Sequence, residues 1–121
     1  MTFIRRWDEF PVVEEIPKVK RRAICGDQVM MARVEYEEGA VVGKHRHPAE
    51  QILYVLEGRI RVKIGDEESD MGPGNIAVIP SGAYHATRAL EAAVFVEAFH
   101  PIRQSYLIGY CGPSDAEFKS D

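Results

Sequence analysis

The chain has 121 residues and a formal net charge of −4 at pH 7, with 45% hydrophobic and 28% charged residues. This length suits a single domain with its own core, and the composition is that of a globular protein rather than a disordered or membrane-spanning chain. The acidic balance argues against nucleic acid as a partner. Because no apolar stretch typical of a signal peptide follows the N-terminus, we expect a cytoplasmic protein that binds neither nucleic acid nor a membrane.

The predicted elements begin with an N-terminal arm over residues 1–18, which contains Pro11 and Pro17 and could add an edge strand. The basic run Lys18-Val-Lys-Arg-Arg22 is interpreted as a solvated, protected strand edge rather than as a site for a polyanion. Residues 30–36 then place Met30 and Tyr36 on one face in a period-2 alternation, which predicts a half-buried strand.

The remainder of the chain is predicted as short strands separated by turns. Strands are expected at 52–56, 60–64, 76–79, 92–99 and 105–110, with a polar turn over 66–70. This pattern predicts an all-β sandwich or barrel over residues 19–113, followed by a polar tail over 114–121. Because the segments 52–56 and 93–99 are apolar on both faces, we expect a homodimer in which a second copy covers one face.

Three of the four histidines are spaced as metal ligands are. His45 and His47 are two residues apart, so on a strand their side chains point to the same face. A third imidazole from the distant His85 completes a facial set of nitrogen donors for a divalent transition metal. The spacing therefore predicts a metal site, the alternative being ordinary polar histidines. His100 lies apart from the set and is predicted at the surface.

These histidines lie in two motifs that resemble those of single-domain cupins. The first is Gly39, five residues, His45-Arg-His47, three residues, Gln51, six residues, Gly58; the second is Gly74, five residues, Pro80-Ser-Gly82, two residues, His85, three residues, Ala89. The resemblance implies a double-stranded β-helix, a jelly-roll barrel of six to eight strands. It also implies one divalent metal ion per chain, held by His45, His47, Gln51 and His85.

Two positions depart from the cupin motifs. Gln51 stands where a glutamate is usual, and Ala89 stands where an asparagine is usual. Glu50 is rejected as the replacement ligand because neighbouring residues of a strand point to opposite faces. A wholly neutral donor set leaves the full charge on the metal, which favours polarising a substrate oxygen over redox cycling. Imidazole and amide donors suit Ni, Zn, Fe, Mn or Co, and the sequence leaves this choice open.

A finer resemblance extends to the segment Glu97-Ala-Phe99-His-Pro-Ile-Arg103. It is similar to the pectin-degradation cupins, which convert 4,5-unsaturated galacturonate into its open-chain keto form. The resemblance implies catalytic roles for Glu97 and Arg103 and substrate contacts for Phe99 and Arg103, although the usual aspartate is Glu97 here. An ion pair between Arg103 and Glu97, and core packing of Phe99, are the structural alternatives.

Together these features predict a metal-dependent enzyme that acts on a small anionic substrate, such as a sugar acid. The metal would act as a Lewis acid, Glu97 would transfer a proton and Arg103 would orient a carboxylate. An oxygen-dependent dioxygenase is the second hypothesis. A non-catalytic module that binds a sugar or a metal is the third, because one barrel hosts many chemistries.

Overall fold

The computed structural model describes residues 3–107. It contains two short 3-10 helices, Trp7–Glu9 and Gln104–Leu107, and ten strands. In chain order the strands are β1 Val13–Ile16, β2 Val19–Cys25, β3 Met30–Tyr36, β4 Val41–His45, β5 Glu50–Glu57, β6 Ile60–Ile64, β7 Glu67–Met71, β8 Ile76–Ile79, β9 His85–Ala89 and β10 Ala93–His100. Neither helix within residues 3–107 has the length and apolarity needed to cross a membrane.

The strands form two antiparallel sheets, which confirms the predicted all-β jelly roll. The larger sheet has the order β1-β2-β3-β10-β5-β8, and the smaller has the order β4-β9-β6-β7. Alternate side chains of both sheets meet in the core, where Met30, Leu53, Ile60 and Phe95 are at most 1% exposed. Strand β10 runs between β3 and β5, so its inward side chains face the middle of the barrel.

Two of the predicted elements are wrong. Residues 67–70 of the predicted polar turn belong to β7, whose Glu68 and Asp70 make ion pairs with Arg61 of the neighbouring strand β6. Strand β7 is exposed and is held to β6 by ion pairs across the two strands. Its sequence therefore lacks the alternation of apolar and polar residues by which a strand is predicted. The strand predicted from residue 105 is instead the 3-10 helix Gln104–Leu107, because Leu107 packs into the core. The remainder of that predicted strand, and the predicted tail 114–121, lie outside the described residues.

Six large apolar side chains are exposed on the outer face of the larger sheet. Cross-strand pairing places Val78 beside Ile52 and Ile76 beside Tyr54, while Ala98 of β10 joins Ile52 to Met31 of β3. We call this surface the outer apolar patch; its exposed members are Met31, Ile52, Tyr54, Leu56, Ile76 and Val78, each 40–62% exposed. A patch that crosses four strands is larger than the scattered apolar residues normal on a protein surface.

Candidate metal centre

Three histidines from two segments of the chain converge inside the barrel. His45 ends β4, His85 begins β9, and the two residues pair across the smaller sheet. His47 lies just beyond β4, so the prediction that both residues of the His-x-His pair lie on a strand is wrong for His47. Even so, one ligand atom of each ring lies within 4.8 Å of the others. The chain therefore brings three imidazoles to a common point.

Backbone carbonyls fix the orientation of all three rings. The Nδ1 atoms of His45, His47 and His85 lie 2.8–2.9 Å from the carbonyl oxygens of Gly43, Ala49 and Ala83. A carbonyl oxygen only accepts hydrogen bonds, so each Nδ1 donates, and in the neutral ring Nε2 then carries the lone pair. Such hydrogen bonds commonly orient histidine ligands of metals. In the neutral imidazole this tautomer leaves Nε2 of each residue available to bind a metal.

Gln51 supplies an oxygen beside these nitrogens. Its Nε2 donates to Oε1 of Glu97 over 2.7 Å, which directs the amide oxygen the other way, 3.1 Å from Nε2 of His47. Both facing atoms carry lone pairs when Nδ1 of His47 holds the ring proton, so neither donates to the other. A cation between them satisfies both. Glu50, the adjacent carboxylate, is exposed on the opposite face of β5, as the alternation predicts.

Burial disfavours protonation of two of these imidazoles, those of His47 and His85. Desolvation, together with the charges of the neighbouring histidines and Arg103, lowers the pKa of His85 to about 4. Desolvation and the charge of Arg103 also lower the pKa of His47. Nε2 of His85 is buried and has no hydrogen-bond partner within the described part of the chain, which is costly for a polar atom unless a ligand binds it. The donor set therefore fits a divalent transition metal.

Glu97 is a buried carboxylate in direct contact with this centre. It lies on β10 between the buried rings of Phe95 and Phe99 and is only 6% exposed. Desolvation raises the pKa of Glu97 to about 7, against the opposing effects of Arg103, Arg21 and the Gln51 hydrogen bond. Oε2 of Glu97 is buried and has no hydrogen-bond partner among the described residues. This second oxygen is free to exchange a proton with a bound molecule.

The other two predicted substrate residues lie around the ring of Tyr106. The guanidinium carbon of Arg103 lies 4.2 Å from the Tyr106 ring centroid and 5.4 Å from that of Phe99. Phe99 is 2% exposed and packs edge-on against both His47 and Tyr106. Phe99 thus packs against one ring of the histidine cluster and against the ring of Tyr106. Burial raises the pKa of Tyr106 to about 12, so this phenol stays protonated.

A cavity of about 280 Å³ opens onto the metal centre. Its walls include His45, His85, Gln51, Glu97 and Arg103, and also residues that the sequence interpretation missed: Glu15, Arg21, Tyr36, Thr87 and Tyr106. Tyr36 and Thr87 share a buried hydrogen bond of 2.6 Å between their hydroxyl groups. The volume suits a ligand of monosaccharide size, since small-molecule pockets start at roughly 300 Å³.

Arg21 corrects the interpretation of the basic run at residues 18–22. The run was predicted as a solvated edge, but β1 covers β2 and the Arg21 side chain is buried against the cavity. The period-2 alternation of Val19, Arg21, Ala23 and Cys25 could have revealed this, since all four side chains share the inward face. The concentration of positive charge obscured the alternation.

Comparisons with known proteins agree with this geometry. Residues 32–99, more than half of the chain, match the family described as Cupin domain. No curated protein matches the chain in sequence. An RmlC-like cupin from Shewanella frigidimarina superimposes with a TM-score of 0.82 at 18% identity, covering 88% of this chain and 96% of that chain, a likeness that shows the fold alone.

Two further solved structures are similar. KdgF from Halomonas sp. has a TM-score of 0.76 at 29% identity, covering 81% of this chain and 94% of that chain. Oxalate decarboxylase from Bacillus subtilis, described with Mn(II) centres, has a TM-score of 0.72 at 24% identity. That alignment covers 78% of this chain but only 28% of the decarboxylase chain, and it too shows the fold alone.

Proposed function

This chain belongs to the cupin family, and we propose that it is an enzyme whose bound divalent metal activates a small sugar acid for ring opening or tautomerisation. The observation that carries the proposal is the orientation of the four donors. Three imidazoles keep Nδ1 protonated, and the Gln51 amide turns its oxygen toward Nε2 of His47. A transition metal bound by His45, His47, Gln51 and His85 would supply a Lewis acid that polarises a substrate oxygen.

The residues of the cavity supply the remaining parts of such a reaction. Glu97 lines the cavity, and its Oε2, which has no hydrogen-bond partner among residues 3–107, can take a proton from the substrate or return one. Arg103, stacked on Tyr106, offers a planar guanidinium that can bind a carboxylate through two parallel hydrogen bonds. The likeness to KdgF from Halomonas sp. and the resemblance of the Glu97–Arg103 segment to pectin-degradation cupins support an unsaturated uronate as the substrate.

The test is an assay of the metal-loaded protein with 4,5-unsaturated galacturonate, with and without oxygen, following the absorbance of the C4–C5 double bond. We expect equal loss of absorbance in both conditions and no loss after the metal is chelated. Loss that requires oxygen would replace the proposal with a dioxygenase. Binding of the sugar without any loss would replace it with a non-catalytic binding module.

A further inference from the structure

Arg21 is the most deeply buried charged group of the cavity that the proposed reaction does not use. Its side chain is 7% exposed, and within residues 3–107 its one ion pair joins Nη2 to Oε1 of Glu15 over 3.1 Å. Nε of Arg21 is buried and has no hydrogen-bond partner in the same range. A buried guanidinium with an unpaired donor is costly. Because the Glu15 side chain is 42% exposed, water screens this ion pair, and the pair contributes little to the stability of the fold.

Arg21 and Arg103 both lie against the ring of Tyr106. The guanidinium carbons of both arginines lie 4.2 Å from the centroid of the Tyr106 ring, so they are separated by at most twice that distance. The charge of Arg103 acts on His47 and His85, whereas both arginine charges act on Glu97. Two guanidinium groups therefore border one cavity whose metal ligands are neutral.

We infer that Arg21 is a second carboxylate-binding residue, which together with Arg103 selects ligands that carry a carboxylate as well as hydroxyl oxygens. Arg21 lines this cavity, and its Nε–H, which has no hydrogen-bond partner among the described residues, is the donor that such a ligand would satisfy. This inference rests on the proposed function, because it assumes that the cavity takes a sugar acid. Beyond the proposed function, we infer that recognition of the substrate carboxylate depends on both Arg21 and Arg103.

The experiment measures the affinity of metal-loaded protein for D-galacturonate and for D-galactose, which differ in the carboxylate. We expect the wild-type protein to prefer galacturonate. Arg21→Gln should weaken galacturonate binding by roughly 10–100-fold, as expected for the loss of a hydrogen bond to a charged group, while galactose binding and metal content stay unchanged. Arg22→Gln is the matched control, since Arg22 is the next residue of β2 and its side chain points to the opposite face.

Arg21→Lys guards against a variant that fails to fold, because it keeps the charge and the stem but loses the planar fork. It should retain part of the preference for galacturonate. A wild-type protein without that preference, or Arg21 variants that bind both sugars as the wild type does, would overturn the inference. If Arg21 had only a structural role, its substitution would weaken the binding of both sugars equally and would lower the melting temperature. Turnover of unsaturated galacturonate is measured separately, so failure of the proposed function remains distinguishable.

Discussion

Gln51 donates a hydrogen bond from Nε2 to Oε1 of Glu97 over 2.7 Å, and this contact joins the metal centre to the buried carboxylate. The two residues come from neighbouring strands, β5 and β10, and both are nearly inaccessible to solvent. A glutamate at position 51 would set two carboxylates against each other here. The amide that departs from the usual cupin motif thus suits this chain, because it can bind a metal through oxygen and support Glu97 through nitrogen.

Glu97 is expected to be required for turnover but not for metal binding. Glu97→Gln removes the group that exchanges a proton at Oε2, so activity on the unsaturated uronate should fall by about 10²–10⁴. Metal content, measured by mass spectrometry, should stay at the wild-type level. Glu50→Gln is the control, since Glu50 is an exposed carboxylate on the opposite face of β5. Turnover by Glu97→Gln near the wild-type rate would refute the assigned role.

His85 is expected to be essential for metal retention. His85→Ala removes one of three imidazoles, so metal affinity should fall by more than the roughly 10–100-fold typical of losing an outer-shell partner. Titration with Ni²⁺ or Mn²⁺ followed by calorimetry provides the measurement. His100→Ala should bind metal as the wild type does, because His100 is exposed and lies outside the cluster. Equal affinities of the two variants would contradict the assignment of the site.

Gly58 is expected to be intolerant of any side chain. Its φ is +77°, and an added Cβ would overlap the carbonyl oxygen of Ala92 and lie 2.7 Å from Cα of Ala93. Gly58→Ala should therefore lower the free energy of unfolding by about 3 kcal/mol or more. Gly74→Ala is the control, because Gly74 has a φ of +89° but open space around it, so only about 1–2 kcal/mol is expected. Equal losses in urea denaturation would show that the Ala92 contact is unimportant.

The outer apolar patch is expected to be the interface of a homodimer. Side chains of this size expose about 200 Å² in full, so the six exposed members present roughly 600 Å², near the ~800 Å² that each partner of a stable dimer buries. Sedimentation should show a dimer that Val78→Asp dissociates. Val41→Asp should leave it intact, since Val41 is similarly exposed but lies on the smaller sheet. A monomeric wild-type protein would refute this expectation.

Local patterns in the sequence were sufficient to predict several strands and the faces to which their side chains point. The alternation over residues 30–36 predicted β3 with both its ends, and the alternation over 60–64 predicted β6. The opposite faces of Glu50 and Gln51 followed from the same period of two. Strand β7 and the helix Gln104–Leu107 were missed, since charge pairing across strands and packing of Leu107 depend on partners remote in sequence.

The sequence by itself indicated the all-β class and three candidate histidine ligands, because backbone periodicity and residue spacing are properties of short segments. Its resemblance to the cupin motifs added Gln51 as the fourth candidate. Only the tertiary structure decided how the ligands are oriented and what surrounds them. The carbonyls that orient the rings, the contact between Gln51 and Glu97, and the burial of Arg21 beside Tyr106 all depend on how the chain folds. Burial also sets the pKa values of His85 and Glu97, since desolvation depends on everything packed around a group.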